Sequence, residues 1–136
     1  MASAKETVLR VYEQENIYVS EGGSDFSAMA ELLHPDFVMR QPASLPFGGD
    51  WKGADGMQAW LKAFGEAWSE INIIKSEMFE SDDVVVSKAL VEAQARKTET
   101  RIQFELLQYI HVIDGKVAEM RPYYWNLPSI VSALNN

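Results

Sequence analysis

Residues 84–125 read VVVSKALVEAQARKTETRIQFELLQYIHVIDGKVAEMRPYYW, and the fold is decided there. Successive strand side chains point to opposite faces, so a half-buried strand alternates apolar and polar residues. Val85, Ser87, Ala89, Val91 and Ala93 are small or apolar, while Lys88, Glu92, Gln94 and Arg96 are polar. Further on, Phe104, Leu106, Ile110 and Val112 share a face that Gln108 interrupts. Asp114-Gly115 is a two-residue hairpin signal, and Ser81-Asp82-Asp83 is another turn. The expected strands are 71–80, 84–97, 101–113 and 116–125.

Upstream the spacing changes. Over residues 4–20, Val8, Leu9, Tyr12, Asn16 and Val19 fall on one side of a helix. Ser24 or Asp25 can cap a short second helix through its side-chain oxygen. That helix carries Phe26, Met29, Leu32 and Leu33 inward and stops at His34-Pro35. Phe37, Met39 and Gln41 alternate in a short strand that ends at Pro42. The prolines and glycines of residues 42–49 predict an irregular loop. A third helix is expected over 54–69, with Met57, Trp60, Leu61, Phe64 and Trp68 as its apolar stripe. Residues 127–134 read as a short closing helix. Helices followed by strands make an α+β protein: a cone-shaped, strongly curved antiparallel sheet wrapped around three N-terminal helices, an α+β barrel. A gap in the filling of such a cone is a ligand pocket.

Composition narrows the function. The 136 residues are 47% hydrophobic and 24% charged, which is globular, and the length suits one domain over 1–136. The net charge of −8 argues against binding nucleic acid or an anionic membrane. No apolar run approaches the roughly 20 residues of a membrane span. Met-Ala-Ser-Ala-Lys-Glu-Thr carries charge where a signal peptide needs an apolar stretch, so a cytoplasmic location is expected. There is no cysteine, which excludes disulfides and thiolate chemistry. His34 and His111 are the only histidines and lack a ligand spacing, so no metal site is expected.

Four stretches resemble one family. They are residues 25–36 (DFSAMAELLHPD), residues 42–49, Trp51-Lys52-Gly53, and Asp114-Gly115-Lys116-Val117 running into Arg121-Pro122-Tyr123-Tyr124-Trp125. Together they resemble the SnoaL-like branch of the nuclear-transport-factor-2-like superfamily, which includes ketosteroid isomerase. The resemblance covers nearly the whole chain and implies architecture rather than one chemistry, because the fold hosts isomerases, cyclases, hydrolases and inert subunits. Ketosteroid isomerase uses an aspartate base, plus a protonated aspartic acid and a tyrosine that hold an oxyanion. The matching acid positions here are Gln41 and Gln108, and the tyrosine role falls on Tyr12. A neutral amide cannot abstract a proton, which argues against that particular activity.

Each candidate carries two readings. Gln108, in an apolar strand face, is either an amide tied to a neighbour or a donor aimed at a ligand carbonyl. Glu119, Arg121, Tyr123 and Trp125 share a face of the last strand. If that face is inward, a charged pair joins two aromatics in the cone, and this is the expectation. The alternative is an ion pair at the sheet edge. His34 ends its helix or serves as fallback base, histidine being the side chain that titrates near neutrality. Asp36 and Glu119 are further candidate bases. Asn16 points into the cone or packs at a helix end. Trp60 is core, and with Met39 and Gln41 also pocket wall. Leu45 and Phe47, without an evident burial partner, suggest a lid or dimer contact.

These readings lean towards a cofactor-free enzyme, an isomerase or cyclase acting by acid–base chemistry on a small hydrophobic carbonyl compound. Tyr12, His34, Gln108 and Arg121 are its catalytic candidates; Asn16, Met39, Gln41, Trp60, Glu119, Tyr123 and Trp125 are its ligand-binding candidates. The alternatives are a non-catalytic ligand-binding module and a dimeric scaffold. The outer sheet face, with Leu107, Tyr109 and His111 beside Gln103 and Glu105, is expected to form a homodimer.

Overall fold

The computed structural model describes residues 3–23 and 25–135, so the capping role assigned to Ser24 lies outside the described residues. Helix α1 spans Ala4–Ser20 and is capped by the Ser3 side chain, which accepts from the Glu6 backbone N–H at 3.2 Å. Helix α2 is a single turn, Ser27–Ala30, entered through Asp25, whose carboxylate accepts from the Ser27 backbone N–H at 3.0 Å. Strand β1 (Leu33–Gln41) and the short β2 (Gly49–Lys52) precede helix α3 (Gly53–Ala67). Strands β3 (Trp68–Ser81), β4 (Val84–Ala95), β5 (Arg101–Ile113) and β6 (Lys116–Tyr124) follow, and helix α4 (Leu127–Asn135) closes the chain.

The six strands form one sheet in the order β2-β1-β6-β5-β4-β3. Neighbours are antiparallel except β1 and β6, which run parallel. β2 and β3 remain as edges, so the curved sheet stays unclosed. Its inner face is apolar: Val85, Ala89, Val91 and Ala93 of β4 and Phe104, Ile110 and Val112 of β5 are buried. Burial of that face against the helices is the main driving force of the fold.

Several elements differ from the sequence expectation. Leu33, His34 and Pro35 belong to β1 rather than to a helix end, and Pro35 falls where the β1–β6 register shifts between Leu33 and Val38. Trp68 opens β3 instead of ending α3. Gly49–Lys52, read as loop and helix approach, is a strand because it pairs with Val38–Gln41 of β1.

Leu45 and Phe47, expected to lack burial partners, find them within the chain. Leu45 and Phe47 are buried, and the Phe47 ring sits edge-on to Trp60 and Phe64. The Trp51 indole N–H donates to the Phe47 carbonyl at 3.1 Å. Gly48 passes so close to residue 42 that a Cβ would lie 2.2 Å from the Pro42 carbonyl oxygen, which only glycine accommodates.

Phe47→Ala should cost about 3–5 kcal/mol of stability. Trp125→Ala, at a side chain 78% exposed, should leave stability within about 0.5 kcal/mol of wild type. Urea unfolding of the two variants checks both; equal effects would contradict this account of the loop.

Candidate functional site

The inner face is not wholly apolar. Ser87 of β4 pairs in register with Gln108 of β5, and Gln108 pairs with Pro122 of β6. Met39 pairs with Met120 across β1 and β6, so Gln41, two residues on, lies level with Pro122. Ser87, Gln108 and Gln41 therefore form a polar row across the inside of the sheet.

Two tyrosines secure that row. The Tyr12 hydroxyl, from α1, donates to Gln108 Oε1 at 2.6 Å. The Tyr124 hydroxyl, from β6, donates to Gln41 Oε1 at 2.9 Å. Each tyrosine occupies an amide oxygen and leaves the NH₂ end of the glutamine for something else. Among the described residues Gln41 Nε2 reaches only the Met39 sulfur, 3.4 Å away and a weak acceptor. Gln108 Nε2 finds no acceptor among the described residues. Burial holds the pKa of both phenols above the ordinary tyrosine value, so they remain donors throughout the neutral range; at Tyr12 the nearby Glu15 adds to the shift.

Glu15 is the residue that sequence reasoning missed. The sheet-facing stripe of α1 is Ala4, Val8 and Val11, all buried. Its spacing of four and three residues continues to Glu15. The stripe expected from sequence was turned about one residue from this. Leu9 and Val19 are exposed, at 47% and 65%, and Asn16 is exposed too, so Asn16 does not point into the cone. Removal from solvent pushes the Glu15 carboxyl up to about 8. It makes no hydrogen bond or ion pair among the described residues. Glu15 nonetheless keeps intermediate accessibility, as do Tyr12, Leu106, Gln108 and Tyr124. These inward-facing groups are thus less enclosed than Val85, Ile110 and Met120 on the same face.

The last strand faces the other way from the expectation. Met120 and Pro122 are buried inward and Tyr124 bonds to Gln41, whereas Arg121 and Tyr123 are exposed. Glu119 bonds Arg40 Nε at 2.6 Å on the outer side, and Arg40 also reaches Asp50 at 2.9 Å. The parity reverses because the β5–β6 register shifts between His111 and Val112. Arg121 stacks over the Tyr123 ring at 5.5 Å. Trp125 projects into solvent.

Arg121 and Tyr123 still reach a concavity. A cleft of about 540 Å³ is lined by Arg40, Gln41, Asp50, Arg121, Tyr123 and Tyr124, among others. It opens at the ends of β1 and β6, and Gln41 and Tyr124 connect it to the polar row.

The remaining candidates do not join the site. His34 Nδ1 accepts from the Asp36 backbone N–H at 3.0 Å, a local turn bond at the start of β1, and the Asp36 carboxylate, 91% exposed, lies beside it. Trp60 is buried among Phe47 and Phe64. Its indole N–H, like that of Trp68, has no acceptor among the described residues. Met39 is fully buried beneath Gln41. Among the described residues no cluster of three or more His, Asp or Glu side chains could hold a metal ion. No helix among them is long and apolar enough to cross a membrane.

Tyr12→Phe should cost about 1–3 kcal/mol, because Gln108 Oε1 loses its partner. Glu15 gives a pH signature. An unfolded glutamate titrates near 4.3, so no penalty exists below that pH. Stability then falls as pH rises towards about 8 and levels beyond it. Glu15→Gln should abolish that decline and melt higher than wild type at pH 8 but not at pH 4; parallel pH profiles would refute the burial of this carboxyl.

Comparison with solved structures agrees with this architecture. A nuclear-transport-factor-2-like protein of unknown function from Burkholderia pseudomallei superposes with a TM-score of 0.82 at 15% identity, covering 100% of both chains. A protein from Jannaschia given the provisional name SnoaL-like polyketide cyclase superposes at 0.76 with 18% identity, over 96% of this chain and 90% of its own. TerC, co-crystallised with polyporic acid, superposes at 0.79 with 17% identity, over 99% and 100%. At such identities the likeness establishes the fold. No curated protein matches the chain. Residues 15–120 match the SnoaL-like domain, from within α1 to near the end of β6, and the chain belongs to that family.

Proposed function

We propose that this SnoaL-like protein is a cofactor-free enzyme of isomerase or cyclase type, acting by acid–base chemistry on a small hydrophobic carbonyl compound. The observation that carries the reading is the 2.6 Å bond from Tyr12 to Gln108 Oε1. It fixes the amide so that its free N–H groups stand on the accessible inner face of the sheet. Preorganised donors of this kind stabilise the negative charge that develops on a carbonyl oxygen. A ligand would enter by the cleft at the ends of β1 and β6, whose rim carries Arg40 and Arg121. Two related folds lend support: one carries a provisional polyketide-cyclase name, and another was co-crystallised with polyporic acid.

One observation favours a second reading, a binding module without chemistry. Gln41 and Gln108 are neutral, and each is already engaged by a tyrosine. Such a protein would hold a ligand by the same amides and release it unchanged.

Calorimetric titration with flat polycyclic ketones, phenols, terpenoids and polyporic acid separates these outcomes. The enzyme reading expects saturable binding at micromolar ligand and a new product by mass. Gln108→Leu should then slow turnover by about 100-fold, the scale of a lost oxyanion donor. Binding without any product supports the carrier, and no binding of any compound overturns both.

The outer sheet face supports self-association. Leu107 and Tyr123 are 44% and 55% exposed, with half-buried Tyr109 beside them. We propose a homodimer through this face. Light scattering should give twice the chain mass, and Leu107→Glu should give the monomer. A monomeric wild type sinks the proposal.

A further inference from the structure

The proposed chemistry needs a group that moves a proton, and neither glutamine can do so. His34, Asp36 and Glu119, the sequence candidates, stand in local turns or outer ion pairs. Glu15 is different. It continues the Ala4, Val8, Val11 stripe that packs on the sheet, and it stands one turn beyond Tyr12 on the same helix. Residues three apart on a helix are neighbours. The Tyr12 hydroxyl touches Gln108, and the Glu15 carboxyl lies close enough to Tyr12 to act on its phenol, so Glu15 stands on the side of α1 that meets Gln108.

We propose that Glu15 is the proton-transferring residue of this site, taking a proton from the carbon beside a ligand carbonyl whose oxygen is held by Gln108. The inference rests on the reading given under Proposed function and supplies its missing base. In the step, the C–H bond breaks and the proton bonds to a Glu15 carboxylate oxygen. The C–H electron pair becomes the new C=C bond, and the carbonyl π pair moves to oxygen, giving an enolate held by the Gln108 N–H groups. Return of the proton from Glu15 to another carbon of the conjugated system completes an isomerisation. No co-reactant is consumed.

The surroundings suit this role. Glu15 lacks a compensating partner among the described residues; withdrawing an unpaired carboxyl from solvent is costly, and groups kept at such a cost cluster at functional sites. Its pKa of about 8 makes the carboxylate a stronger base than a solvated one, with an ionised fraction still present at neutral pH. The titratable groups three residues from it on α1 are Tyr12 and Tyr18, and β6 offers Tyr124; burial keeps the Tyr12 and Tyr124 phenols neutral at these pH values. The inner faces of β4 and β5 present Ser87, Leu106 and Gln108, which carry no charge. On β3, Glu80 is held at the start of α1 by the Lys5 backbone N–H at 2.7 Å.

The test is deuterium uptake by 2-tetralone, a flat ketone with acidic protons beside its carbonyl, in D₂O with the full chain. Binding is followed separately by calorimetry. Wild type should accelerate exchange over buffer by about 100-fold or more. The rate should rise about tenfold per pH unit and level near pH 8. Glu15→Gln should bind 2-tetralone within about threefold of wild type yet exchange at the buffer rate, while Glu15→Asp should retain measurable exchange. A Gln variant that exchanges like wild type, with the same pH profile, overturns the role of Glu15 and leaves the carbonyl chemistry standing. A wild type that binds 2-tetralone without accelerating exchange, or does not bind it, overturns the carbonyl reading and this inference with it.

Discussion

One amide in a hydrocarbon wall sets the terms for the rest of the molecule. Gln108 lies on the inner face of β5 between Leu106 and Ile110, where an unpaired amide costs on the order of 1–3 kcal/mol. The partner for its oxygen, Tyr12, comes from 96 positions away. The bond therefore fixes where α1 crosses the sheet as well as which end of the amide stays free. Tyr124 repeats the device on Gln41. These pairs give the inside of the cone a fixed polarity without fixed charge.

Charge is confined to the outside, with one exception. Arg101 binds Glu70 and Glu92 on the outer face of the sheet, and Arg40 binds Glu119 and Asp50 near the cleft. These exposed pairs contribute little to stability. Glu15 is the exception. It is a carboxyl without a partner among the described residues, on a stripe otherwise filled by Ala4, Val8 and Val11, and a group whose withdrawal from solvent opposes stability marks a site where stability is not the only requirement.

The sheet was legible in the sequence because period-two alternation and the Asp114-Gly115 turn state it directly. The resemblance singles out Gln41, Gln108 and Tyr12, and the structure joins Tyr12 to Gln108 and Gln41 to Tyr124. Three features were not legible. β2 exists only because Gly49–Lys52 finds a partner in β1; glycine and aspartate carry no strand signal of their own. The facing of β6 depends on a register shift, and Glu119, Arg121, Tyr123 and Trp125 form as plausible a stripe as Met120, Pro122 and Tyr124. The stripe of α1 was misjudged because Leu9 and Val19 are apolar at helical spacing yet exposed. Rotating the helix by one residue exchanged Glu15 for Asn16.

The parallel pairing of β1 with β6 has a consequence for how the chain assembles. β3 to β6 follow one another and can zip as successive hairpins, whereas β1, beyond its short pairing with β2, must wait for β6. Closing long loops carries an entropic cost that local pairing avoids. The bonds Tyr12–Gln108 and Tyr124–Gln41 span 96 and 83 positions. Both belong to this late stage. During synthesis α1 and β1 precede the strands they join, and β1 lacks its parallel partner until β6 has been made. Tyr12 and Gln41 are thus made long before the side chains they bond.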